Sequence, residues 1–398
     1  MSAEAAANSD GLPHALAALL VGGSAMLLAF LSLTRPAARL ARWPVASALL
    51  GGGWLALATG FLLGPGGLGV LRSASLVELR PLTQLGLAWI GLLVGLQMRR
   101  DLVAAVPNTL WRWVVSDAVL SFGAGAGLTV ACLRSIAPGA PAITVWPVAS
   151  LVGAGCIGWS GELRSLRGLD ARAPLTAAWM QAAAGLGSAL AIIASDLITL
   201  SPRGSQGLLS VILIAAAAAL SLRAVLGSQP GQDGRLTLAL LATLATVAGA
   251  GAAMNASPMP GAFLLGLVVA NLRGGSMRRL ERLVSESEPA VAAVFFMLAG
   301  VMLGGAGGRW PWALAGGLLA VRLVLKPLVA SWALGERWRE PGAARLRVGT
   351  VRQAPIAIAL AVAAVQGHDT MTERGVLLSL VAVGVAGGLL PLLRGRSA

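Results

Sequence analysis

Thirteen apolar stretches, most of them about as long as a bilayer is thick, govern what this chain can become. They cover residues 12–34, 44–63, 81–98, 110–133, 142–160, 174–194, 207–226, 236–255, 259–272, 289–305, 311–334, 348–366 and 375–393. A helix needs about 20 mostly apolar residues to cross the hydrocarbon core. Only the ninth stretch is clearly short. The whole chain is 57% hydrophobic and 12% charged, with mean hydropathy +0.80. A soluble domain carries about 25% charged residues. The sequence therefore predicts an all-α polytopic membrane protein with the lipid bilayer as its solvent.

The arginines test that count. With the N-terminus outside and the spans alternating, the inner loops and inner helix ends hold twenty-one arginines and the outer ones six. The inner groups include Arg35, Arg39 and Arg42, then Arg99, Arg100 and Arg112, and later Arg337, Arg339, Arg345 and Arg347. Arginine collects on the cytoplasmic side of short loops, so thirteen spans, N-out and C-in, are expected. Trp43, Trp111, Trp113, Trp310, Trp312 and Trp338 fall at predicted span ends, as an interfacial belt would. Residues 1–11 lack the basic start of a signal peptide, so the first span is expected to be retained. The net charge of +14 shows no basic stripe interleaved with aromatics, which excludes nucleic acid as the implied partner.

Two spans are interrupted. The fifth reads WPVASLVGAGCIGW, with Pro147, Gly153, Gly155 and Gly158. The twelfth reads VRQAPIAIALA, with Arg352, Gln353 and Pro355 inside apolar sequence. They lie an odd number of spans apart and so cross in opposite directions. Paired broken helices in inverted repeats point to a transporter's midplane site. Gly153, Gly155 and Gly158 also match the spacing G-x-G-x-x-G of dinucleotide sites. That motif needs a preceding strand and a soluble βαβ unit, which a membrane span denies it.

Of the 30 basic residues, all but Lys326 are arginine. Lys326 lies within the eleventh span, one helical turn after Arg322. An ionisable group in a membrane segment is costly and marks function by default. Lysine is a compact point charge that can lose its proton when buried, which arginine cannot. Cys132, Cys156, His14 and His368 are too few and too scattered for a metal cage, and no cofactor is implied.

Five segments, in order, resemble the cation/proton antiporter superfamily of sodium/proton exchangers and potassium efflux antiporters. MPGAFLLGLVVANL (259–272) resembles its G-A-F-x-x-G helix, and WIGLLVGLQM (89–98) its third-span ending, usually G-L-E. VFFMLAGVMLGG (294–305) resembles its F-F-x-x-x-G helix, RLVLKPL (322–328) the span with the buried basic residue, and TVRQAPIAIALA (350–361) the second broken helix. The resemblance spans about residues 12–393. It implies two inverted repeats whose broken helices cross. A core of spans 4–6 (110–194) and 11–13 (311–393) would move like an elevator against a scaffold of spans 1–3 (12–98) and 8–10 (236–305). Span 7 (207–226) would link them, residues 394–398 would form a cytoplasmic tail, and two copies would pair as a homodimer.

The chain departs from that family at the acids. The family's span-6 aspartate, which binds cation or proton by turns, should follow Gln181; Ala182, Ala183, Ala184 and Gly185 stand there. No carboxylate lies between Asp170 and Asp196. Gln97 replaces the third-span glutamate, and the fifth-span polar pair falls on Gly155 and Cys156. Exchange of a cation for a proton needs an oxygen ligand that changes charge. Asp117, inside span 4, is a candidate partner for Lys326, because spans 4 and 11 hold equivalent places in the repeats. Glu78, Glu162 and Asp196 sit at span ends, where solvated charge is ordinary. Arg352 and Gln353 beside the second break suit an anion or a helix C-terminus.

The expected function is a secondary transporter in the inner membrane that exchanges a small ion or solute for protons, with altered coupling. Its transport-site candidates are Lys326, Gln181, Ala182, Asp117, Gly155, Cys156, Arg352, Gln353 and Arg322. Two alternatives are a non-transporting sensor or scaffold on the same fold and a carrier of an anionic or organic solute. An intramembrane enzyme would want paired acids or a metal site, and the sequence has neither cluster.

Overall fold

A backbone in hydrocarbon must satisfy its own N–H and C=O groups, and a helix does so within one segment. The computed structural model follows that rule: among the described residues every regular element is helical. The structure describes Gly23 and residues 53–71, 79–136, 138–139, 142–158, 174–198, 202–228, 233–271, 276–303, 309–335, 355–368 and 371–393, some of them by backbone alone.

The helices are α1 (Trp54–Leu63), α2 (Arg80–Leu96), the one-turn α3 (Arg100–Ala104), α4 (Asn108–Ile136), α5 (Ala142–Ile157), α6 (Pro174–Ile198) and α7 (Pro202–Ser228). After them come α8 (Asp233–Ala253), α9 (Met259–Ala270), α10 (Ser276–Leu303), α11 (Trp310–Leu334), α12 (Pro355–His368) and α13 (Met371–Leu393). Except for α3, which lies between the third and fourth stretches, they fall on the predicted stretches from the second onward. The first stretch apart from Gly23, both tails, Glu78 and Glu162 lie outside the described residues. α4 and α11 are long and apolar enough to cross a bilayer on length and composition. The tenth helix begins at Ser276, well before its apolar stretch, because charged SMRRLERLVSESE continues the helical run.

Proline and asparagine set the short ninth helix. Pro260 opens α9, and Asn271 closes it. The Asn271 amide donates to Leu267 O (2.7 Å) and Met98 O (3.2 Å), and its Oδ1 accepts from the Arg100 N–H (2.8 Å). One side chain thus ties the ends of α2 and α9 to the start of α3.

Small residues let two helix pairs touch backbone to backbone. On α2 and α9, Gly91 faces Met259 O, Gly95 faces Phe263 O and Gly266 faces Leu92 O, each too close for a Cβ. On α1 and α10, Gly60 faces Met297 O and Gly300 faces Leu57 O in the same way. Glycine at helix crossings is how membrane helices gain close packing. α7 and α8 pack with this set.

A second set forms around α4, which packs on α5, α6 and α11. α13 joins α11 to α12, and Ser379 of α13 donates to Pro311 O at the start of α11 (2.8 Å). α5 and α12, which fall on the two spans expected to be broken, pack on each other. The two sets meet where α10 touches α12 and α13, and where α6 touches α2 and α9.

Candidate functional site

α4 and α11 face each other along two buried stripes. On α4 the stripe runs Leu110, Trp113, Val114, Asp117, Ala118, Ser121, Gly125, Thr129. On α11 it runs Leu314, Ala315, Leu318, Arg322, Lys326, Val329, Ala330, Ala333. Spacings of three and four place each stripe on one helix face. Apart from Thr129, each stripe is apolar except in its middle, and the two polar middles meet.

Lys326 Nζ donates to Asp117 Oδ2 at 2.7 Å. Ser121, one turn on from Asp117, donates to its other oxygen, Oδ1, at 3.1 Å. Lys326 is 1% exposed, Asp117 5% and Ser121 1%. A buried charge needs a partner with good geometry and further hydrogen bonds, and this pair has both. Asp117 does not pair with Arg112, whose guanidinium lies over the Trp332 ring, 5.5 Å from its centre.

The second contact of the pair explains Arg322. α5 ends at Ile157, and Gly158 leaves the helix. The last carbonyls of a helix lack intrahelical partners and carry about −0.5 elementary charge between them. Here α11 supplies the partners. Arg322 Nη1 donates to Cys156 O and Nη2 to Gly158 O, both at 3.0 Å, and Lys326 Nζ donates to Ile157 O at 3.3 Å. The planar guanidinium fork straddles the middle carbonyl, which the ammonium takes. Arg322 is 1% exposed.

The helix of the fifth span therefore ends at Ile157, with Gly158 beyond it. Pro147, Gly153 and Gly155 are all inside continuous helix. Gly153 and Gly155 serve close approach instead. A Cβ on Gly153 would meet Phe122 O of α4 at 2.9 Å, and one on Gly155 would meet Ala357 Cβ of α12 at 3.3 Å. Gly155 thus marks where α5 and α12 touch: it stands two residues before the last residue of α5, and Ala357 two residues after the first of α12. Cys156 is a buried free thiol whose carbonyl is its polar contribution.

On α6, Ala182, Ala183 and Ala184 are buried in one apolar cluster with Trp113 and Val114 of α4 and Val329 and Ala330 of α11. The position where the resemblance wants a carboxylate is thus sealed by methyl groups, against residues of α4 and α11 that stand about one turn from Asp117 and Lys326. Gly185 follows, where a Cβ would meet the Cβ of Gln97, the residue after α2, at 3.2 Å. Arg352 and Gln353 lie outside the described residues, as do the side chains of Gln181 and Asp196. Among the described residues no three His, Cys, Asp or Glu side chains gather as a metal site.

The structure brings Lys326, Asp117, Arg322 and Cys156 together, with Gly155 beside them. Sequence reasoning missed Ser121 and the carbonyls of Ile157 and Gly158. Ser121 had a signal, since it stands one helical turn from the only intramembrane acid of span 4.

No family model matches the sequence, and no curated protein is similar to it in sequence. Solved structures are similar in fold. One is the sodium proton antiporter MjNhaP1 from Methanocaldococcus jannaschii at pH 8, with TM-score 0.61 and 16% identity, covering 95% of this chain and 98% of that one. The chain has the sodium/proton antiporter fold, a polytopic helical membrane fold, and the resemblance read from the five sequence motifs is borne out at the level of fold.

Proposed function

We propose that this protein is a secondary transporter of the antiporter type that exchanges a small ion or solute for protons through a rearranged charge centre. The observation that carries this reading is the buried Asp117–Lys326 pair, placed at the free end of α5 in an antiporter fold. The charge missing from α6 stands on α4 instead. In membrane segments, paired buried charges mark ion and proton pathways.

Helix pairing supports two inverted repeats. Span 2 packs on span 10 as span 3 packs on span 9, and spans 5 and 6 pack as do spans 12 and 13. Each pair becomes the other on moving seven spans along the chain. In this reading spans 4–6 and 11–13 form the moving core, spans 1–3 and 8–10 the scaffold, and span 7 the link. The N-terminus is outside, the C-terminus in the cytoplasm, and two copies form a dimer in the inner membrane.

The test is flux. The protein is reconstituted in vesicles with a pH dye inside, and gradients of sodium, potassium or lithium are imposed, then gradients of organic cations and anions. An internal pH change that needs both protein and counter-solute, and that is lost in Lys326→Ala, is expected. No pH change with any of these solutes would remove the exchanger. The sealed Ala182–Ala184 cluster would then favour a sensor or scaffold on the same fold.

A further inference from the structure

The oxygen set around Lys326 Nζ is of a kind that suits a metal cation. Asp117 Oδ2 lies 2.7 Å away and Ile157 O 3.3 Å away. Ser121 fixes the far carboxylate oxygen, so Oδ2 is aimed. The flanking carbonyls of Cys156 and Gly158 are held by Arg322, which fixes the Ile157 peptide between them. Carboxylate and backbone carbonyl oxygens are the ligands that hard cations choose. An unwound helix end in a membrane transporter offers such carbonyls to a cation.

We propose that the Lys326 ammonium is a tethered cation that permanently fills a monovalent cation site made by Asp117 Oδ2 and Ile157 O. The wild-type chain therefore takes no alkali metal at this place, and removing the side chain opens the site. Charge decides for a monovalent ion. One positive charge leaves with Lys326, and Arg322 stays beside the vacated position, repelling a second. An anion is excluded because acceptor oxygens face the position. The inference goes beyond the transporter reading and stands on this oxygen set alone.

The experiment measures unfolding midpoints of the purified full-length protein at fixed pH and ionic strength, in lithium, sodium, potassium or choline chloride. Wild type is expected to unfold at the same temperature in all four salts. Lys326→Ala is expected to unfold early in choline, with a midpoint raised saturably by at least one metal cation. The shift should follow single-site linkage, growing with the logarithm of concentration above saturation. Asp117→Asn combined with Lys326→Ala should abolish it. A Lys326→Ala midpoint equal in metal and choline salts would overturn the proposal. So would a saturable shift of the same size in wild type, or one that survives the double change. Lys326→Ser covers poor folding: recovery of either variant only when purified in a metal salt supports the site, and recovery of neither in any salt overturns it. The readout needs no flux, so a chain that moves nothing across the bilayer can still pass.

Discussion

Asp117, Ser121, Lys326 and Arg322 act as one unit, and the unit has a testable energetics. Removing one partner of a buried pair leaves a bare charge and costs about 3–5 kcal/mol, whereas replacing both by apolar groups is often neutral. In choline buffer, Asp117→Asn and Lys326→Met are each expected to lower stability by that order. The combination Asp117→Leu with Lys326→Met should recover most of the loss. Denaturant titration in mild detergent, read as a double-mutant cycle, measures it. Additive single losses would mean the two side chains do not depend on each other. How legible this unit was differs by residue. Lys326 and Asp117 stood out because charge inside an apolar span is expensive. Their pairing rests on which faces of α4 and α11 meet, and a linear pattern gives only each face. Ile157 and Gly158 contribute main-chain oxygen, which no side-chain pattern announces.

At the scale of elements, Arg322 holds the end of α5 as a cap drawn from another helix. Arg322→Lys keeps the charge but loses the fork, so one ammonium cannot serve both Cys156 O and Gly158 O. A loss of about 1–3 kcal/mol is expected for a charged hydrogen bond left unmade. Amide exchange should quicken in the last turn of α5 and not along α4. Equal exchange in both helices would mean the cap is not local. Glycines divide by the same logic. Gly123 and Gly127 on α4 would carry a Cβ into open space, with nothing within 4 Å. Gly95 would drive one into Phe263 O, a backbone atom that cannot turn aside. Gly123→Ala is expected to be neutral or stabilising by up to about 1 kcal/mol, since alanine is the better helix former. Gly95→Ala should destabilise by about 1–3 kcal/mol through overpacking. Thermal unfolding of the two variants side by side checks the contrast. An interrupted fifth span was the expectation, but the sequence did not show where α5 would end. Glycine serves both breaks and close packing, and only the neighbour, Phe122 or Ala357, tells which use is made.

For the whole molecule, apolar lengths were enough to lay out the helices from α1 to α13 apart from the one-turn α3, because the bilayer allows a spanning chain few choices. They were not enough to show which helices touch. That depends on where small residues permit close approach, and glycine is common throughout this chain. For the proposed transport, the contact between the two helix sets matters most. If the core slides against the scaffold, the seam between α6 and α2 must open. Gly185 and Gln97 lie at that seam, with an ideal Gly185 Cβ 3.2 Å from Gln97 Cβ. Disulfides bridge Cβ atoms about 3.5–4.5 Å apart, so a small adjustment suffices. The obstacle is Met98 Cε at 2.7 Å, the far end of a flexible side chain that can move aside. With Cys132 and Cys156 replaced by alanine, Gln97→Cys and Gly185→Cys should cross-link under mild oxidation. The cross-linked protein is expected to keep its fold and to lose at least tenfold of its flux in vesicles, about 1.4 kcal/mol in the barrier, with recovery on reduction. Full flux in the cross-linked protein would show that α6 and α2 move together, and the elevator would have to be abandoned for a motion confined to α5 and α12.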